Sequence, residues 1–228
     1  MWTRWVFFGV MGCRAGQDRE CEAVIALINP ASQQMQAVSS LDLSAPEQTR
    51  QNMQQMGVRA RQVAAEMKRV PLTFDVLQEI AAEVVSNYTR LARVTDDTVD
   101  IIDEIARLEA AVTAQSEALQ SSVQAFGAAC AKSEEKERCQ RLLQAVPQDV
   151  TVAGALDAYI AKAKGTSFSD ARLVTTRNPY LQALSGLNES MGAMGRLEQR
   201  AADLHPRMTV IADRESKLVE RINIFCGE

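Results

Sequence analysis

From Leu72 to Phe126 the chain runs without a proline or glycine, between Pro71 and Gly127. Within that stretch apolar residues keep a seven-residue beat: Leu77, Ile80, Val84, Leu91, Val94, Ile101, Ile105, Leu108, Val112, Leu119 and Phe126. The polar occupants of the seam, Asn87, Thr98, Gln115 and Ser122, leave its phase unchanged. A repeat of 3.5 residues places these side chains on one helical stripe that must face other helices. At about 1.5 Å per residue the element is about 75–85 Å long. Thr95-Asp96-Asp97 also has the composition of a helix start. The seam stays in phase across it, and a continuous helix over 74–129 is the expectation.

The remaining pattern is helical as well. Glu20 to Ser39 has Cys21, Val24, Ile25, Leu27, Ile28, Met35 and Val38 on one side, with Asn29-Pro30 as a kink or a delayed start. Ser44-Ala45-Pro46-Glu47 is a start signal for a second helix to Val70, with Met53, Met56, Val63 and Met67 inward. Pro71 ends it and Thr73 is placed to cap the long helix. Further helices are expected over 133–146 and 151–164. Gly165–Asn178 is rich in Ser and Thr, lacks a helical period and reads as one long loop. Pro179 opens a last helical section reaching Cys226, with His205-Pro206 as a kink or short break.

Four limbs result: 20–70, 74–129, 133–164 and 179–226. The fold class expected is all-α, an elongated antiparallel up-down four-helix bundle with coiled-coil-like long helices. The whole of 20–228 is one domain in this reading. Composition agrees: the chain of 228 residues has 46% hydrophobic but only 5% aromatic residues, the make-up of helices that bury small aliphatics in narrow seams. A net charge of −4 gives no overall attraction to nucleic acid.

The five cysteines bear on compartment. Leaving Cys13 aside, Cys21, Cys130, Cys139 and Cys226 allow three pairings. Cys130 and Cys139 are nine positions apart, about 13 Å on an unbroken helix, and disulfide geometry needs Cα atoms within about 7 Å. They can pair only where the chain turns, and Lys132-Ser133-Glu134-Glu135 offers such a turn, with Ser133 as a helix cap. With the limbs alternating in direction, all four cysteines gather at one end, which favours Cys130–Cys139 and Cys21–Cys226.

At the N-terminus Arg4 precedes the apolar run Trp5–Met11, followed by Gly12 and Cys13. The sequence Val10-Met11-Gly12-Cys13 resembles the lipobox of bacterial lipoprotein signal peptides, and the short apolar run after a basic residue suits a signal h-region better than a membrane span. The resemblance covers 13 residues and carries no implication for the helical body. It implies removal of 1–12, a diacylglycerol on the Cys13 sulfur, a tether over 13–19, and a protein held at the cell envelope, at the outer membrane or the periplasmic face. Export also makes disulfides plausible.

Catalytic chemistry is scarce. His205 is the single histidine and precedes a proline, so neither a di-iron helix motif nor a His/Cys zinc cluster is available. Phosphate loops, nucleophile elbows and dinucleotide fingerprints are absent from the sequence. The expectation is a non-enzyme with no catalytic residues, no metal and no cofactor. Asp96, Asp97, Asp100, Asp103 and Glu104 read as a solvated helix face. The candidate for partner binding is the long loop and its surroundings: Lys162, Lys164, Arg172 and Arg177 as cations, with Phe168 and Leu173 as apolar contacts. The resulting function is a lipid-anchored scaffold, spacer or protein-interaction module at the bacterial envelope. Two alternatives remain: a sensor-like bundle binding a small molecule between helices, and a soluble cytosolic coiled-coil protein.

Overall fold

A computed structural model describes the backbone over residues 3–37, 45–147 and 154–227, and the side chains over 16–33, 45–147 and 154–227. Among those residues are six helices: α1 Thr3–Ala37, α2 Pro46–Met67, α3 Asp75–Ala131, α4 Lys136–Gln144, α5 Ala155–Gly165 and α6 Ala171–Gly227. Among the described residues there is no strand. The long seam is one helix, α3, running unbroken through Thr95-Asp96-Asp97.

The chain divides into two compact units. The first comprises Met1–Ile102 with Arg200–Glu228, the second Asp103–Gln199. Two of the four expected limbs are each a pair of helices. Limb one is α1 and α2, which pack against each other; limb three is the short pair α4 and α5. The Cys21–Cys226 disulfide lies in the first unit and the Cys130–Cys139 disulfide in the second, with Cα separations of 5.7 and 5.6 Å. Residues 13–19, expected as a tether, lie within α1, which also passes through Pro30. Met35 and Val38, the end of the first helix, and the expected cap Ser44 lie outside the described residues or side chains.

In the first unit α2 starts on Pro46, whose fixed φ suits the first helical position, with Glu47 in the first turn. Its Met53, Met56, Ala60, Val63, Ala64 and Met67 recur at threes and fours and are all buried. Gly57 sits in this stripe because α3 passes close. A Cβ there would come within 2.6 Å of the Thr95 hydroxyl oxygen. The α3 seam is fully buried from Leu77 to Ile102, and α6 contributes Leu204, Ile211, Leu218 and Ile222.

The start of α3 is capped from α1, and the Thr73 hydroxyl, expected as the cap, donates to the same carboxylate. The Glu20 carboxylate accepts from the Thr73 amide at 2.9 and 3.0 Å, the Thr73 hydroxyl at 2.5 Å and the Phe74 amide at 3.4 Å. These amides lie just before the first residue of α3, where no helical carbonyl precedes them, and a carboxylate at that end also meets the positive end of the helix dipole. Loss of hydration pushes the Glu20 carboxyl up, but the hydrogen bonds from Thr73 and Phe74 outweigh it and hold it below its ordinary value.

In the second unit the core is Phe126, Cys130, Cys139, Leu142, Leu156, Tyr159, Ile160, Ala163, Leu173, Tyr180, Leu181 and Leu184. The seam residues Ile105, Leu108, Val112 and Leu119 are only half-buried, and full burial returns at Ser122 and Phe126. Towards the middle of this segment Gln115 meets α6, accepting from the Ser190 hydroxyl at 3.0 Å and lying over Gly186, where a Cβ would come within 2.9 Å.

Candidate functional site

The expected loop over 165–178 is a helix for half its length. Only 166–170 separates α5 from α6, which begins at Ala171. Asp170 makes that start. Its carboxylate accepts from the Arg172 amide at 2.9 Å and from the Arg172 guanidinium at 3.1 and 3.2 Å, and these bonds hold its carboxyl below the ordinary range. From α4's side, the Glu135 carboxylate accepts from the Ser169 and Asp170 amides at 2.7 and 3.1 Å. Pro179 lies inside α6 rather than at its start, and α6 continues through His205-Pro206 without a break.

This changes what the partner-binding candidates do. Leu173 is fully buried and offers no surface. Phe168 is half-buried, edge-on to Phe126 with ring centroids 6.3 Å apart, and Phe126 stacks on Tyr180 at 5.6 Å. The guanidinium of Arg177 lies 5.7 Å from the Phe168 centroid and donates to the carbonyls of Ala163, at 3.4 Å, and Thr166. That cation closes the α5–α6 connection. Arg172 is exposed but clamped by Asp170. Lys162 and Lys164 remain exposed on α5. Cys13 lies in α1, and its side chain is outside those described.

Two features of the first unit were not anticipated. One is a buried carboxylate: Glu215 of α6 is 5% exposed. One of its oxygens accepts from the Tyr88 and Ser32 hydroxyls, both at 2.6 Å, and the other from the Asn87 amide at 3.2 Å. Asn87 Nδ2 also donates to the Ile211 carbonyl at 3.2 Å, tying α3 to α6, while its Oδ1 is buried without a partner. Burial, then the charge of Glu215 and the hydrogen bond to it, raise the Tyr88 phenol above its ordinary value. Tyr88 therefore stays protonated and donates. The sequence signal was present in α6. Leu204, Ile211, Leu218 and Ile222 set a seam, and residue 215, four after Ile211 and three before Leu218, falls on it.

The other feature is a cationic surface on α3. Arg90 and Arg93, one helical turn apart, are exposed and make no ion pair among the described residues. A cleft between α3 and α6 has Arg90, Arg93 and Arg207 around Val94, Pro206, Val210 and Ile211. A second, between α2 and α3, has Arg61, Lys68, Arg69 and Arg93 around Ala64, Ala65 and Ala92. Arg93 borders both. Six cations thus line the pair of clefts against one lining carboxylate, Asp96. Asp96 takes both oxygens to Arg61 at 2.8 and 2.9 Å, and Asp97 pairs with Arg207 at 2.8 Å. Two members of the supposed solvated acidic face therefore bridge helices and hold arginines at the cleft rims.

Among the described residues, no group of three or more His, Cys, Asp and Glu could hold a metal ion, and no helix is long and apolar enough to cross a membrane. Compared with protein-family models, curated proteins and solved structures, the chain matches none.

Proposed function

We propose that this chain is a non-enzymatic, lipid-anchored protein of the bacterial envelope that acts as a scaffold or interaction module. The observation that carries the reading is cysteine usage. Cys21 pairs with Cys226 and Cys130 with Cys139, leaving Cys13 of the lipobox-like sequence as the odd one. Paired structural cysteines belong to oxidising compartments such as the periplasm, and a free cysteine behind an apolar run and a glycine is the position that lipoproteins acylate. We infer further that the first unit is an antiparallel four-helix cross-section. The pairs Asp97–Arg207, Tyr88–Glu215 and Glu83–Arg221 descend on α3 as they rise on α6, and Gln17–Phe225 and Ser32–Glu215 do the same for α1 and α6.

An interaction role is favoured over a ligand sensor by where the polar groups are. Ser32, Asn87 and Tyr88 all donate to Glu215 at the seam of the first unit, while Arg90 and Arg93, without an ion pair among the described residues, stand at open clefts. The experiment is the intact mass of the chain expressed in a bacterium, with and without reduction. Loss of 1–12, a lipid adduct on Cys13 and four thiols released only by reductant are expected. An unprocessed chain with five free thiols would place the protein in the cytosol and end the envelope reading.

A further inference from the structure

We propose that the Arg90–Arg93 face of α3, with the cleft on either side, is a docking site for an acidic amphipathic helix of a partner protein. The proposal rests on the interaction reading above but not on the lipid anchor. Charge is the first argument. The chain as a whole carries −4, yet the two clefts are lined by six cations and one carboxylate, which is itself engaged by Arg61. A surface of the opposite sign to the whole molecule concentrates an acidic partner locally and selects against basic ones.

Shape and apolar content supply the second argument. The α3–α6 cleft has an apolar floor in Val94 and Ile211 and an open apolar flank in Val210, which is 48% exposed. Pro206 and Val210, four apart on α6, make a second one-turn ledge facing Arg90 and Arg93. A groove between two helices, apolar at its base and cationic at its rims, matches a helix laying its apolar stripe inward and its carboxylates outward. Arginine suits this use because its planar guanidinium binds a carboxylate by two bonds. A membrane-binding face would instead project aromatic or long aliphatic side chains, and here the apolar lining is short side chains without an aromatic ring: valines, alanines, a proline and the buried Ile211.

The clefts are held open by the surrounding structure. Arg61 and Arg207 are anchored to Asp96 and Asp97, and the Asn87 amide fixes the Ile211 carbonyl. Arg90, Arg93, Lys68 and Arg69 are the cations left to bind, and Arg90 and Arg93 are the two on α3.

The test uses the full chain and a fluorescent synthetic helix carrying a leucine stripe flanked by glutamates, with a lysine-for-glutamate version as comparison. Expected is saturable binding of the acidic peptide by fluorescence anisotropy, weakened by salt and absent for the basic peptide. In Arg90→Glu/Arg93→Glu affinity should fall at least tenfold, because both attractions become repulsions. Val210→Glu, which places a charge on the apolar flank, should weaken it in the same direction. Lys162→Glu/Lys164→Glu in the second unit should leave it unchanged. Absence of saturable binding, or equal loss in the second-unit control, would overturn the proposal. So would binding to phosphatidylglycerol vesicles, but not to the peptide, that is lost in Arg90→Glu/Arg93→Glu, since the face would then be a membrane contact. Peptide failure with a lipidated, disulfide-bonded chain in the mass spectrum removes the docking site and leaves the anchored reading intact. Peptide binding by an unprocessed chain does the reverse.

Discussion

The hydroxyl of Tyr88 donates to a carboxylate oxygen of Glu215 at 2.6 Å, joining α3 to α6 across 127 positions of sequence. Ser32 of α1 donates to the same oxygen, so three helices of the first unit meet on one buried acid. Every donor around it is neutral, and burying a carboxylate is tolerable only while those donors stay in place.

Removing one of them should therefore be costly. Tyr88→Phe keeps the ring and deletes the hydroxyl, and should cost about 1–3 kcal/mol of unfolding free energy. Combined with Glu215→Gln, the two losses should fall short of adding, because they remove the same interaction. Urea unfolding of the two single variants and the double reads this directly. An unchanged midpoint in Tyr88→Phe would mean the hydrogen bond contributes nothing.

The three tyrosines of the chain predict an alkaline limit to stability. Burial raises all three phenols; the Glu215 charge adds to this for Tyr88, and for Tyr180 the hydrogen bond to Tyr159 adds further. Tyr159 spends its own proton on the Leu142 carbonyl at 3.2 Å, so Tyr180 is the donor in their 2.8 Å contact, which pulls Tyr159 partly back down. An unfolded phenol releases its proton near pH 10, while these folded ones hold theirs to higher pH. Their stabilisation is thus complete below about pH 10 and falls as pH rises beyond it. Tyrosinate absorbance should appear only together with loss of helical circular dichroism. A tyrosinate signal from a fully helical chain would refute the burial of at least one ring.

How far these features could be read in advance depends on how much the residues share one period. The seam from Leu77 to Ile101 was legible because nothing interrupts it, and α3 is continuous there. The start of α6 was not, because Thr175, Thr176, Arg177 and Pro179 break the apolar beat between Leu173 and Tyr180. In the structure the two threonine hydroxyls bond back to the Ala171 and Arg172 carbonyls, at 2.9 and 2.8 Å, and sit within the helix. Asp170 was the available cap signal. The two helices of limb one are legible in the sequence, but a break near residues 42–45 says nothing about direction, which emerges only from the packing of α1 on α2. Charge is read from neighbours in sequence, and the engagement of Arg177 with the Ala163 and Thr166 carbonyls is visible only once α5 and α6 are in place.

Arg177 should accordingly behave as a structural residue. Arg177→Ala removes its hydrogen bonds to the Ala163 and Thr166 carbonyls and its cation–π contact with Phe168. A loss of about 1–2 kcal/mol in unfolding free energy is expected. Lys162→Ala, on an exposed position of α5, should stay within about 0.5 kcal/mol of the parent. Equal midpoints for the two variants in chemical denaturation would return Arg177 to the surface.

The long seam itself is graded, and charge insertion should expose the gradient. Ile101 is 3% exposed in the first unit, while Ile105, one turn on and in the second, is half-buried. Ile101→Asp forces a carboxylate into a closed apolar site, where loss of hydration makes the charged form expensive. More than about 4 kcal/mol should be lost, enough to unfold a marginal protein. At Ile105 the same aspartate can turn its oxygens towards water, so Ile105→Asp should cost less, about 1–2 kcal/mol, with Leu108→Asp close to it. Both substitutions lie on the same stripe of the same helix, so helix propensity and net charge cancel in the comparison and only burial differs. Thermal unfolding of the two variants side by side decides it. If Ile105→Asp were as damaging as Ile101→Asp, the seam would be closed at Ile105 as well, and the half-burial of that turn of α3 would be refuted.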